Sequence, residues 1–125
     1  MRKAFMCGIA AAFISMTPAL ADECKLTTAQ AEAAAAALIE KHPNYRAWII
    51  KNDDAKKLTA YINAQPPKSE ENFDEFIFAE NPDAGTVVVL YALDGCVKNT
   101  IPASAESVHN DLKRALGNDP SGAPA

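Results

Sequence analysis

The chain is poor in the residue types from which catalytic and metal centres are built. Of its 125 residues three are cysteine and two are histidine. A zinc site takes three or four protein ligands. With two of the cysteines better used in a disulfide, His42 and His109 are too few, so no metal site is expected. No C-x-x-C pair occurs, which excludes a dithiol redox motif. The five glycines form no nucleotide-binding motif, and no cofactor is expected. No G-x-S-x-G is present either. Ser104, Ser107 and His109 share one predicted helix, which does not assemble a nucleophile, a base and an orienting group. Ser104 is better read as a helix cap, His42 as a helix-end residue and His109 as a surface residue. No catalytic residue is nominated, and the chain is read as non-enzymatic.

Charge of one sign is also scarce. There are 12 basic and 16 acidic side chains. A nucleic-acid binder needs a basic face, and the only basic clusters are the pairs Lys56-Lys57 and Lys113-Arg114. Nucleic acid is therefore excluded as a partner. The carboxylates at Asp53-Asp54, Glu70-Glu71, Asp74-Glu75 and Asp83 do not follow calcium-loop spacing. Glycoside hydrolysis would need two of them across a cleft, and solvated acidic loops are the simpler reading.

One long apolar run is present, at the start. Met1-Arg2-Lys3 is followed by Ala4 to Pro18 and then Ala19-Leu20-Ala21. This is the order of a secretory signal: charged segment, apolar segment, small-x-small cleavage site. A membrane-spanning helix needs about 20 predominantly apolar residues, and this run is shorter and Ala-rich. Cys24 follows Asp22-Glu23, unlike an acylated lipoprotein cysteine. Arg2-Lys3 is not a twin-arginine pair. The expectation is a cleaved signal over residues 1–21, general export in a bacterial style, and a periplasmic or secreted protein with no membrane insertion after cleavage. Loss of Arg2 and Lys3 leaves 10 basic against 16 acidic side chains, a balance of −6.

Export sends Cys7 away with the signal and puts Cys24 and Cys96 where thiols oxidise. Only one pairing is open to them. Closing a loop of that length stabilises a small fold by roughly 4 kcal/mol in the chain-entropy account.

The mature chain reads as a single α+β domain over residues 22–117 with a flexible tail at 118–125. Thr27 with Gln30 forms a capping box before a helix at Thr28 to Lys41, ended by Pro43. Tyr45 to Lys51 reads as a strand. Asn52-Asp53-Asp54 offers caps to a second helix, with Ala55, Leu58 and Ile62 on its buried face and Lys56, Lys57 and Thr59 on the other. Pro66-Pro67 stops it, and Lys68 to Asp74 is a polar acidic loop. Glu75 to Glu80 and Thr86 to Leu93 read as an antiparallel hairpin across Asn81–Gly85. Asp94-Gly95 turns the chain into Cys96. Pro102 and Ser104 lead into a last helix, Ala105 to Leu116, closed by Gly117. The fold class expected is a small two-layer α+β sandwich with about three strands, three helices and one disulfide.

With no catalytic motif, the function expected is a protein-binding module, an inhibitor or accessory subunit of the cell envelope. An acidic exported domain suits a basic protein partner. Tyr45, Arg46 and Trp48 are candidate contact residues if they face outward, although the core is the favoured place for Trp48. Glu70 and Glu71, on the loop after the second helix, are further candidates. The alternatives are a small secreted hydrolase, which needs a pocket with several polar groups, and a small-molecule carrier, which needs a cavity between sheet and helices.

Overall fold

The computed structural model describes residues 24–121; the expected signal at 1–21 and the last part of the expected tail lie outside them. Seven elements follow in order: α1 (Thr28–Lys41), β1 (Arg46–Lys51), α2 (Asn52–Ala64), β2 (Glu75–Asn81), β3 (Thr86–Leu93), β4 (Cys96–Ser104) and α3 (Ala105–Leu116). The four strands form one sheet in the order β1-β2-β3-β4, every neighbouring pair antiparallel. This is a small α+β domain with one disulfide.

The sheet has one strand more than the sequence suggested. Residues 96–104 contain Lys98, Asn99, Thr100 and Pro102, a polar run with a proline, and most of it is exposed. It forms a strand because it lies at an edge, where one side of the ladder faces solvent and proline is tolerated. Asp94 (φ 55°) and Gly95 (φ 81°) both take the left-handed conformation that a two-residue hairpin turn requires.

Alternation along each strand separates two faces. Trp48, Ile50, Phe76, Phe78, Val87 and Val89 point to one side, and α2 and α3 cover them with Ala55, Leu58, Val108 and Leu112. Each such side chain contributes roughly 1.5–3 kcal/mol by leaving water. α1 lies across the opposite face: Ala35 and Ile39 meet Ala47 and Ile49, and Ile77 is buried beneath the sheet's centre on that side. The helices are thus divided, two over one face and one over the other.

Local signals explain the element ends. The capping box forms, with Thr27 Oγ1 accepting from the Gln30 amide at 3.0 Å and Gln30 Oε1 accepting from the Thr27 amide at 2.9 Å. Ser104 Oγ accepts from the Ser107 amide at 3.1 Å to start α3, and Gly117 closes it in a left-handed conformation. α2 starts differently. Its cap residue is Lys51 with no side-chain cap bond, and Asn52 takes φ 61°, turning strand into helix with no intervening loop. Asp53 and Asp54 sit in its first turn, where the helix dipole favours negative charge.

Two residues are more buried than their neighbourhoods implied. Phe73, in the acidic loop, enters the core and packs edge-on against Phe76 and Tyr91. Thr59 is covered by that loop and donates its hydroxyl to the Phe73 carbonyl at 3.2 Å, which corrects its placement on the solvent face of α2. The disulfide joins Cys24 to Cys96 across 72 positions, with Cα atoms 5.4 Å apart. Backbone bonds on either side reinforce it, from the Thr28 amide to Gly95 and from the Val97 amide to Leu26. Together they fasten the start of α1 to the β3–β4 turn.

Candidate functional site

Of the candidate contact residues Arg46 and Trp48 sit in strand β1, on one face of it, and Tyr45 immediately precedes the strand. Trp48 goes to the core: it is 8 % exposed, with its indole stacked on Phe78 at a centroid distance of 5.0 Å. Its size and the burial of that face take most of the ring out of reach of a partner. Arg46 lies on the same side and pairs with Glu80 at 3.3 Å, its register partner in β2. Tyr45 is half-buried and stacks on His42 at 4.6 Å. Glu70 and Glu71 are exposed in the loop after α2, where Asn63 holds the Glu71 backbone by bonds of 2.8 and 3.2 Å. Among the described residues no hydrogen bond or ion pair links these glutamates to Tyr45 or Arg46.

His109 is the most elaborately held polar side chain. Val108 and Leu112 anchor α3 in the core, which brings the next position, His109, over the Trp48 ring at 5.7 Å. Its Nε2 lies 3.0 Å from Glu80 Oε1 and its Nδ1 lies 2.8 Å from Asp119 Oδ2. A neutral imidazole has one N–H, so which of the two nitrogens donates depends on the tautomer. Glu80 is buried and receives Arg46 as well, whose guanidinium offsets its charge. Burial pushes the Asp119 carboxyl up, but hydrogen bonds from Ser121 and the neighbouring His109 outweigh it and hold the group below its ordinary value.

Ser121 Oγ approaches His109 Nδ1 at 3.3 Å, and so a serine, a histidine and two acids meet here. A general base needs a ring nitrogen able to take the nucleophile's proton. Both nitrogens already face carboxylates, at shorter range. The arrangement fits a fastening: it ties residues 119 and 121, at the start of the tail expected to fray, back onto α3 and β2. Ser104 is occupied as the α3 cap. Among the described residues no group of three or more His, Cys, Asp or Glu side chains is placed to hold a metal ion.

The opposite face of the sheet offers a different surface. α1 covers only part of it. Ile49 and Val88 are each 40 % exposed there, beside Ala47 and Pro102. A cleft of about 380 Å³ runs between α1 and β1, lined by Ala35, Ala36, Ile39, Ala47, Trp48 and Ile49 with Glu32 at its side. Trp48 belongs to one face of β1 and Ala47 and Ile49 to the other, so the cleft wraps the strand's outer edge. β1 ends the sheet, and among the described residues no strand pairs with that edge.

Beneath α1, Glu75 faces Glu32. Burial first, then the hydrogen bond and charge of Glu32, push the Glu75 carboxyl up from 4.5 to about 7, with Lys51 opposing and Asp74 adding.

No family model, curated protein or solved structure matches this chain. No helix among the described residues is long and apolar enough to cross a membrane.

The signal for this surface is present in the sequence. Arg46 to Lys51 alternates strictly, so Trp48 and Ile49 cannot share a face. The burial of Trp48 therefore leaves Ile49 and Ala47 outward.

Proposed function

We propose that the mature chain works after export as a non-enzymatic protein-binding module, and that it receives an extended segment of its partner along the outer edge of β1. The observation that carries this reading is the open apolar cleft between α1 and β1, continuous with the exposed Ile49. An added strand bonds through its backbone to a free sheet edge and places alternate side chains in flanking pockets. Here the flanking pocket is small-residue-lined on the α1 side, through Ala35 and Ala36, which leaves room for the incoming side chains. The acidic balance and Glu32 at the cleft favour a basic partner segment. The Cys24–Cys96 bridge suits a compartment where thiols oxidise, in keeping with the export signal.

The hydrolase alternative gains no support from His109, whose ring nitrogens are both engaged. Affinity capture from envelope extract with the wild type and with Ile49→Asp tests the proposal. The wild type should retain a partner that the variant loses, with both proteins equally folded. Equal capture by the two would overturn the assignment to β1.

A further inference from the structure

We propose that the cleft between α2, α3 and the β3–β4 side of the sheet is a binding site for a small amphipathic cation, an aromatic or short aliphatic group carrying a protonated amine. The site shares no residue with the cleft along β1 and is independent of the function proposed for it.

The cleft holds about 110 Å³. An enclosed apolar cavity of about 150 Å³ takes benzene, so a ring fits here with one edge at the open mouth. Its floor is apolar and rigid: Phe76, Phe78 and Leu112 are almost wholly buried. Tyr91 contributes a wall, set edge-on to Phe76 at 5.3 Å. Ile101, on the outer strand, is 37 % exposed and lines the cleft as well.

The mouth carries the polarity. Tyr61 on α2 donates its hydroxyl to Asp111 Oδ1 on α3 at 3.0 Å, which places the carboxylate over the opening. Arg114 reaches the same oxygen at 3.8 Å, but its side chain is two-thirds exposed, so solvent screens the pair. Burial, then the charge of Asp111, raise the Tyr91 phenol, which therefore stays neutral and adds no competing charge. No Lys, Arg or His lines the cleft. An anionic ligand would meet Asp111, whose one cationic neighbour, Arg114, is screened by solvent. A cation meets a carboxylate, which attracts it.

Titration of the disulfide-bonded protein with benzylammonium, benzyl alcohol and benzoate, followed by amide-resolved NMR, tests the inference. Benzylammonium should give saturable shifts centred on Tyr61, Ile101 and Asp111, with benzyl alcohol about tenfold weaker and benzoate weaker still, as a charge-assisted contact requires. Asp111→Asn should bring benzylammonium and benzyl alcohol to equal affinity, and Ala103→Phe, which fills the cleft, should abolish both. Benzoate binding as tightly as benzylammonium, equal binding of all three, or no saturable shift at these residues would overturn the proposal. The ligand comparison uses the wild type alone, so it decides the matter even where a variant folds poorly.

Discussion

Glu75→Gln should stabilise the protein at alkaline pH and leave it nearly unchanged at acid pH. Glu75 titrates near 7 in the folded chain against 4.5 ordinarily. Its folded value is raised, so the folded state binds more protons than the unfolded state between those limits. Stability is therefore full below the unfolded value and falls as pH rises through the folded one. Each pH unit between them corresponds to about 1.4 kcal/mol, an upper limit of about 3 kcal/mol. Glu75 is only partly buried and Lys51 lies near, so screening reduces this to about 1 kcal/mol. Glutamine copies the protonated carboxyl, including a donor toward Glu32, and removes the titration. Denaturant unfolding at about pH 5 and about pH 8.5 should show the wild type losing about 1 kcal/mol relative to the variant at the higher pH. Glu32→Gln should flatten the same slope, because it takes away the neighbouring charge that raises Glu75. Parallel pH profiles for wild type and both variants would refute the account of a raised Glu75 carboxyl beneath α1.

Two further outcomes follow from the packing. Replacing Cys24 and Cys96 together with serine should cost about 4 kcal/mol in denaturant unfolding, since the bridge closes a long loop; a wild type equally stable with and without reductant would contradict this. Leu112→Ala should cost about 2–5 kcal/mol, because the side chain is 1 % exposed between α3 and the sheet; calorimetry reads the loss as a lowered Tm.

The features legible in the sequence are those decided by neighbours in the chain. The Thr27–Gln30 box, the Ser104 cap, the Gly117 stop and the β2–β3 hairpin each depend on a few adjacent residues. β4 escaped because periodicity marks strands that bury a face, and an edge strand with Lys98, Asn99, Thr100 and Pro102 buries little. The Asp94-Gly95 dipeptide was the signal for it, since both residues accept the left-handed turn. Thr59 and Phe73 were misplaced for a related reason: their burial depends on how the loop after α2 folds back. The fastening around His109 joins residues 46, 80, 109 and 119, and nothing in their spacing announces that they meet. The division of the helices between the two faces was hidden too. α1 carries so much alanine that its stripe fits either side of a sheet equally well.

Photo-crosslinking in the native envelope tests the central claim most directly. A photoreactive residue at position 49, beside the open edge of β1, should form an adduct with one partner protein, and the same residue at exposed Glu106 on α3 should not. Adducts from position 106 alone, or identical products from both, would contradict a partner seated along β1.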